Sequence, residues 1–138
     1  MTSSGLLLDT CAILWLFGGT ELQERIIEEI QEQAELDRLF LSPISAWEIG
    51  MLAAKGRIAL TTPIEKWVAQ AFHHASVKLI NLDPEILVSS SYLPNIKHGD
   101  PADRIIMATA RNHNLAVVTR DRKILEYAEQ GHLLALEC

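Results

Sequence analysis

The chain has 138 residues, of which 49% are hydrophobic, and its formal net charge at pH 7 is −6. This length and apolar content predict a single folded domain over residues 1–138 and exclude a disordered chain. The acidic balance argues against a protein that holds nucleic acid through bulk positive charge, although bound cations can reverse the sign of a site locally.

The cysteines and the N-terminal residues indicate where the protein works. The two cysteines, Cys11 and Cys138, form neither a spaced zinc pair nor a disulfide framework. Residues 1–5 contain no basic segment, and no apolar run approaches the roughly 18 residues of a membrane span. We therefore predict a reduced, cytoplasmic setting.

The first apolar run, at residues 6–8, predicts a buried parallel strand whose carboxyl end carries Asp9. Open α/β sheets bind their ligands at that end of the strands. A short helix over residues 12–17 follows, and Thr20 then predicts the cap of a second helix over residues 21–36.

A second strand is predicted at residues 39–41, and Ser45 predicts the cap of a helix that runs to about Lys55. Glu48 lies three positions after Ser45, which is the spacing of a reciprocal capping box. Because this box directly follows a strand end, the same turn directs Glu48 toward the edge of the sheet that holds Asp9. We favour a catalytic role for Glu48 over a purely structural one.

The middle of the chain predicts structural elements rather than chemistry. Residues 64–72 have the apolar spacing of a helix, residues 77–80 predict a third strand, and Asp83 followed by Pro84 is a typical helix start. The neighbouring histidines at 73–74 cannot both face one metal from a regular helix, so a zinc site is not predicted.

Two carboxylates occupy the first turn of the next predicted helix. Asp100 followed by Pro101 is a strong helix start, and Asp103 lies at the third helical position, ahead of a small, apolar face at residues 105–110. Acidic residues in a first turn also complement the helix dipole, and for Asp100 we favour that structural role. One cap is sufficient, so Asp103 is the better candidate for function.

The last part of the chain, like the first, has an apolar run that leads to an aspartate. Residues 115–118 predict a buried strand that leads to Asp121, and a helix over 123–129 and an edge strand over 133–136 follow. The alternation of strands and helices predicts an α/β fold, namely a three-layer α/β/α sandwich with a central, mostly parallel sheet. Its right-handed crossovers bring the carboxyl ends of the strands to one side, where we expect the candidate acids Asp9, Glu48, Asp103 and Asp121.

Four carboxylates at one edge repel one another unless protons or cations neutralise them. Oxygen ligands of this kind suit Mg²⁺ or Mn²⁺, which activate water for phosphodiester hydrolysis. Thr10 and Thr119 either position these carboxylates or a water, or only satisfy the backbone. Six basic residues are candidates to hold a phosphate backbone, with scattered surface charge as the equal alternative: Arg104, Arg120, Arg122, Lys123, Lys55 and Arg57.

Four segments, in this order, resemble the PIN domain family and, within it, the VapC-type toxins of bacterial toxin–antitoxin pairs. They are Leu-Leu-Leu-Asp-Thr at 6–10, Ser-Ala-Trp-Glu-Ile at 45–49, the stretch at 98–110 that begins His-Gly-Asp-Pro-Ala-Asp, and Val-Thr-Arg-Asp at 118–121. The resemblance spans nearly the whole chain, and its specificity lies in the ordered set. It implies a small α/β/α sandwich that acts as a metal-dependent endoribonuclease.

The resemblance also implies roles and partners. By position it makes Asp9, Glu48, Asp103 and Asp121 the metal-site residues and Asp100 an auxiliary acid. The spacing leaves open whether Asp100 or Asp103 is the main metal ligand. The family further implies a homodimer and an antitoxin whose tail lies over the active-site groove, which we predict between the helices at 45–55 and 21–36.

Two other functions are considered. In one phosphatase fold a strand-end Asp attacks phosphate and a second Asp two residues later acts as acid and base, but here Cys11 stands at that second position. A non-catalytic protein of a repressor complex is the other alternative. The presence of all four acids argues against it, because a binding module has no reason to tolerate their repulsion.

Overall fold

The computed structural model describes residues 3–19, 22–97 and 99–138. Five strands form one sheet, namely β1 (Leu6–Leu8), β2 (Leu39–Leu41), β3 (Lys78–Leu79), β4 (Ala116–Thr119) and β5 (Leu134–Glu137). Their order across the sheet is β3-β2-β1-β4-β5, and every pair of neighbours is parallel. The sheet is therefore fully parallel, and the predicted α/β fold is confirmed.

Seven helices connect and cover these strands in the described residues. They are α1 (Thr10–Gly18), α2 (Glu24–Glu35), α3 (Pro43–Ala54), α4 (Ile64–Phe72), α5 (Pro84–Ser89), α6 (Pro101–His113) and α7 (Arg122–Glu129). None of the helices in the described part of the chain has the length and apolar character needed to cross a membrane. The predicted cap Thr20 and the predicted first residue Glu21 of the second helix lie outside the described residues, and α2 begins at Glu24.

The two faces of the sheet are covered by different helices, because successive strand residues point to opposite sides. On β1, Leu6 and Leu8 join a buried cluster that contains Ile26 of α2 and Trp67 of α4. Leu7, between them, joins a second cluster formed mainly with α6 and α7. Two separate cores on either side of one sheet make the three layers of the predicted sandwich.

Helix α3 begins earlier than predicted. Ser45 is not its cap, because Ser42 is the capping residue and accepts a hydrogen bond from the Ile44 backbone N–H at 3.2 Å. Pro43 explains the difference, since proline at the first helical position has its φ angle preset and no N–H group to leave unpaired. The predicted capping box between Ser45 and Glu48 is therefore wrong, and both side chains are available for other contacts.

The surroundings of α3 also differ from the prediction. Its main helical neighbours are α1, α4 and α6. Helix α1 lies beside α3, and α2 contributes to the same buried cluster as α3. A groove of about 420 Å³ lies instead between α1 and the segment that follows α3, and its lining includes Trp15, Ile58, Leu60 and Trp67.

Several helices begin at the carboxyl edge of the sheet. Asp9 follows β1 and caps α1, and Asp121 follows β4 and caps α7. Asp100 caps α6, which runs back across the sheet to β4. Each of these starts carries the positive end of a helix dipole, which favours carboxylates there. The fold therefore places acidic side chains at this edge for reasons that begin with helix capping.

Candidate active site

A cavity of about 410 Å³ lies at the carboxyl edge of the sheet. The four acids singled out in the sequence all line it. The complete lining is Asp9, Thr10, Cys11, Glu48, Leu52, Asp103, Arg120 and Asp121. Residues more than 100 positions apart in the chain thus meet in one place.

Asp9 is held from both sides of its carboxylate. Its Oδ1 accepts a hydrogen bond from the Ala12 backbone N–H at 2.8 Å, which is the capping contact of α1. Its Oδ2 accepts a short hydrogen bond from the hydroxyl of Thr119 on β4. With only 5% of its surface exposed, Asp9 is a rigid, nearly dehydrated carboxylate.

Glu48 is oriented by a pair of buried hydroxyls. The Thr10 hydroxyl makes a short hydrogen bond to Glu48 Oε1, and its Oγ1 lies 3.0 Å from the Oγ of Ser45. A hydroxyl has a single hydrogen, so when Thr10 donates to the carboxylate it accepts from Ser45. Ser45, which is fully buried, therefore orients Glu48 through Thr10.

Asp100 combines the structural role favoured from the sequence with a place among the acids. Its Oδ1 accepts from the Asp103 backbone N–H at 3.2 Å, as a helix cap does. Carboxylate oxygens of Asp100, Asp103 and Glu48 also lie within 4.8 Å of one another, which is close enough for one cation to contact all three. The structure thus brings both Asp100 and Asp103 to Glu48.

Asp121 is connected to Asp9 through Thr119. The Asp121 backbone N–H donates to the Thr119 hydroxyl oxygen at 3.0 Å, while that hydroxyl donates to Asp9. Asp121 Oδ1 accepts from the backbone N–H groups of Lys123 at 2.8 Å and Ile124 at 3.2 Å. Thr10 and Thr119 therefore both contact carboxylates of the cavity rather than only the backbone.

Burial and mutual repulsion change the protonation of this cluster. Burial raises the pKa of Asp103 to about 8, and the charges of Asp100, Glu48, Asp121 and Asp9 act in the same direction. Burial is also the main cause that raises the pKa of Asp9 to about 6, against the lowering effect of the hydrogen bonds from Thr119 and Ala12. Negative charge is thus unfavourable here in the absence of a cation.

This donor set fits a hard divalent cation. Its members are carboxylate oxygens, three of them within 4.8 Å of one another. The cavity also gathers the carboxyl groups of four residues, whose mutual repulsion a cation would offset. Ligands of this type suit Mg²⁺ or Mn²⁺ better than zinc.

Cys11 lines the same cavity but does not supply an acid or a base. Burial, reinforced by the neighbouring carboxylates, raises the pKa of its thiol to about 11. The group therefore stays protonated at neutral pH. In the phosphatase alternative this position carries a carboxylate, so the structure gives that alternative no support.

Of the six basic residues that were candidates for phosphate contacts, the structure brings one to the cavity lining. Arg120 lines it, with its guanidinium 3.9 Å above the Trp15 ring and its Nε 2.8 Å from the Cys138 carbonyl oxygen. Arg122 is exposed and pairs with Glu137 at 3.5 Å. Arg104 is half-buried on α6 outside the cavity lining.

The sequence reasoning missed the positioning role of Ser45 and the stacking of Arg120 on Trp15. A signal for Ser45 was present, because Pro43 identifies Ser42 as the cap and so leaves the Ser45 hydroxyl unassigned. No comparable signal links Trp15 to Arg120. These residues lie on different elements, and only the packing of α1 against β4 brings them together.

Comparisons with known proteins agree with this architecture. A model of the PIN domain matches residues 6–130. Ribonuclease VapC22 of Mycobacterium tuberculosis is 34% identical over 118 residues, which is 86% of this chain and 88% of that protein.

Solved structures of toxin–antitoxin complexes have the same fold. VapBC2 of Rickettsia felis bound to promoter DNA matches with a TM-score of 0.69 at 12% identity, over 96% of this chain and 97% of that one. A toxin–antitoxin complex from Klebsiella pneumoniae matches with a TM-score of 0.61 at 25% identity, over 94% of this chain and 96% of that one.

Proposed function

This chain belongs to the PIN domain family, and on that basis we propose that it is a metal-dependent endoribonuclease and the toxin of a toxin–antitoxin pair. The observation that carries the proposal is the convergence of Asp9, Glu48, Asp103 and Asp121 on one cavity. A relative that is named a ribonuclease supports the choice of RNA as substrate.

In this proposal the same four acids hold one or two Mg²⁺ or Mn²⁺ ions, with Asp100 as an auxiliary acid beside Glu48 and Asp103. When bound, such ions supply an activated water and stabilise the leaving oxygen of a phosphodiester. The spacing of Asp100, Asp103 and Glu48 supports a shared cation, and Asp103 is our choice as the principal ligand because it also lines the cavity.

The other residues of the chain keep the carboxylates in place. Thr119 fixes Asp9, and the pair of Ser45 and Thr10 fixes Glu48, so that their oxygens do not reorient when substrate enters. Fixed polar groups of this kind lower the reorganisation needed during the reaction. Arg120 supplies the positive charge at the wall of the cavity, where it can contact a phosphate oxygen.

We propose an antitoxin as the protein partner, on the strength of the related complexes. Its docking position in this proposal is the groove beside α1. Trp15 lines that groove, and Arg120, which stacks on Trp15, lines the acidic cavity. A segment bound in the groove would therefore lie next to the active site.

We also propose a homodimer, as the family resemblance implies. Four large apolar side chains are exposed on or next to α3 and α5, both of which pack against α6: Trp47, Leu87, Val88 and Tyr92. Exposed apolar groups on neighbouring elements are typical of an interface between copies. Light scattering of purified protein tests this, because Val88→Glu is expected to convert a dimer to a monomer without loss of fold.

We propose that the protein acts in the cytoplasm, where a bacterial cell, the setting of its relatives, makes and uses its RNA. The decisive experiment is cleavage of total cellular RNA by purified, antitoxin-free protein with Mg²⁺ or Mn²⁺. We expect cleavage to stop in EDTA and in the double variant Asp9→Asn, Asp103→Asn.

The matched control is Asp37→Asn, which changes an exposed carboxylate in the turn before β2 and should leave cleavage intact. Cleavage that continues without metal, or in the double variant, would refute the nuclease proposal. Cut ends mapped from the wild-type reaction would identify the RNA target.

A further inference from the structure

A second, smaller cavity lies beside α7, the helix that Asp121 caps. It has a volume of about 170 Å³ and is formed between the segment that precedes α6 and the outer face of α7. Six of its seven lining residues have polar side chains. The lining residues are Asn95, Ile96, Lys97, Lys123, Glu126, Tyr127 and Gln130.

The walls of this cavity are fixed to each other. The Tyr127 hydroxyl donates a short hydrogen bond to the Pro94 carbonyl oxygen, which ties the segment before α6 to α7. The Tyr127 ring in turn stacks on His132 with 4.6 Å between ring centroids. Lys97 and Lys123 therefore face a defined cavity, unlike lysines scattered over an open surface.

The position of the two lysines connects this cavity to the acidic one. Lys97 is three residues before Asp100, and Lys123 is two residues after Asp121. The backbone N–H of Lys123 also donates to Asp121 Oδ1 at 2.8 Å. An RNA strand that leaves the acidic cavity over the start of α7 would therefore pass these lysines next.

An RNA substrate needs positive charge at such a place. The chain has a net charge of −6, and the carboxylates of the acidic cavity repel every phosphate that a cation does not neutralise. Arg120 serves the acidic cavity itself, and Arg122 is paired with Glu137. Within residues 3–19, 22–97 and 99–138, by contrast, no ion pair engages the exposed ammonium groups of Lys97 and Lys123.

We propose that this second cavity binds a backbone phosphate of the RNA, next to the phosphodiester that is cut. Lys97 and Lys123 supply the charge, and the side-chain amides of Asn95 and Gln130 supply hydrogen bonds to phosphate oxygens. Glu126 in the same lining leaves one net positive charge, which suits a single phosphate. This inference depends on the proposed ribonuclease function and adds a position where the substrate is held.

The test compares Lys97→Gln, Lys123→Gln and their double variant with wild type and with Lys66→Gln, a matched change of an exposed lysine on α4. In RNA cleavage with Mg²⁺, we expect the double variant to raise KM about tenfold, as expected for loss of one charged contact, with kcat unchanged. The dependence of log kcat/KM on log salt concentration should flatten by about 0.7 for one lost phosphate contact. Thermal stability should stay at the wild-type value.

Each result gives a clear answer. Wild-type KM and salt dependence in the double variant would overturn the inference while the ribonuclease proposal stands. If the wild type does not cleave RNA, the ribonuclease proposal fails, and binding of a labelled single-stranded RNA measured by fluorescence anisotropy still decides the role of the lysines. The inferred phosphate site would then be overturned if wild type and the double variant bound the RNA equally well. It would also be overturned if Lys66→Gln lost as much RNA affinity as the double variant.

Discussion

The two ends of the parallel sheet use their polar groups in opposite ways. At the amino end, backbone groups pair with one another, as in the bonds from Leu6 N–H to the Arg38 carbonyl at 2.9 Å and from Ser4 N–H to the Asn114 carbonyl at 2.8 Å. At the carboxyl end, several carboxylates lie close together. Burial, and to a smaller extent the charge of the neighbouring acids, raises the pKa values of Asp9 and Asp103. One end is arranged for stability, and the other accepts a cost in stability for chemistry.

Backbone conformations with a positive φ angle also occur at the amino end. Gly5, Asp37 and Asn114 have positive φ angles of 150°, 57° and 55°, and all three lie next to the amino ends of strands. Gly5 approaches the segment before β2 so closely that an added Cβ would lie 2.5 Å from the Arg38 carbonyl oxygen. Changes at the amino end should therefore affect folding, and changes at the carboxyl end should affect activity.

The largest expected effect is at the acidic end. Asp103→Asn should lower RNA cleavage by at least about 100-fold, since even outer-shell changes at metal sites cost up to that amount. The same variant should unfold at a higher temperature than wild type in EDTA at pH 8, because it removes an acid whose charged form is disfavoured in the folded state, first by burial and then by the neighbouring carboxylates. Cleavage rates and thermal unfolding of one preparation measure both. If Asp103→Asn lost activity and also unfolded at a lower temperature than wild type, the carboxyl end would contribute to stability as the amino end does, which would contradict the comparison.

The next effect is at the opposite end. Gly5→Ala should destabilise the protein by roughly 1–3 kcal/mol from backbone strain, with a further cost from the clash with Arg38. Urea unfolding measures this cost. Cleavage per folded molecule should equal that of wild type, and Gly99→Ala, where an added Cβ meets nothing within 4 Å, is the control for the substitution itself. An active-site defect in folded Gly5→Ala would contradict the comparison.

The carboxyl end should also make stability depend on pH when no metal is bound. The folded state holds protons on Asp9 up to about pH 6 and on Asp103 up to about pH 8, whereas both have a reference pKa of 3.8. Between about pH 4 and pH 8 the folded state binds more protons than the unfolded chain, so the free energy of unfolding falls as pH rises.

Unfolding in EDTA across this range measures the effect. Mg²⁺ should restore more stability at pH 8 than at pH 6, because fewer protons then compete with the cation. Asp103→Asn should show a flatter dependence on pH. Metal-free stability that rises through the same range would show that the carboxylates are not the dominant titrating groups.

The smallest effect concerns the hydroxyl that holds Glu48 in place. Ser45→Ala leaves Thr10 free to turn away from Glu48, and we expect Mn²⁺ affinity, measured by calorimetry, to fall about tenfold. Ser90→Ala is the matched control, since it removes another buried hydroxyl, one that donates to the Leu87 carbonyl away from the cavity. Unchanged metal affinity in Ser45→Ala would show that Ser45 contributes packing only and does not orient Glu48.

Much of the fold could be predicted because its signals are local. Leu6–Leu8 and the run through Val118 are continuous apolar segments, which predict strands buried on both faces, and the structure confirms both. The start of α3 was missed because Ser42 and Ser45 are both acceptable caps. The choice between them depended on Pro43.

The candidate site could be predicted only as a set of acids at one edge. The positions of Asp9 and Asp121 could be predicted because each residue follows a strand, and parallel strands place their carboxyl ends together. The proximity of Asp100 to Glu48 could not be predicted, because the distance between them depends on how α6 packs against α3. The cavity with Lys97 and Lys123 likewise depends on the hydrogen bond from Tyr127 to Pro94.

The central position of the first strand has a consequence for the synthesis of the protein. Strand β1 leaves the ribosome first, yet it lies between β2 and β4, and Asp9 is held by Thr119, 110 residues later in the chain. A nascent chain that ends before Ala116 carries Asp9, Glu48 and Asp103 but lacks the strand that completes their arrangement. The proposed ribonuclease is therefore incompetent until β4 has been made, so a ribosome that has not yet translated this strand is not exposed to a working site.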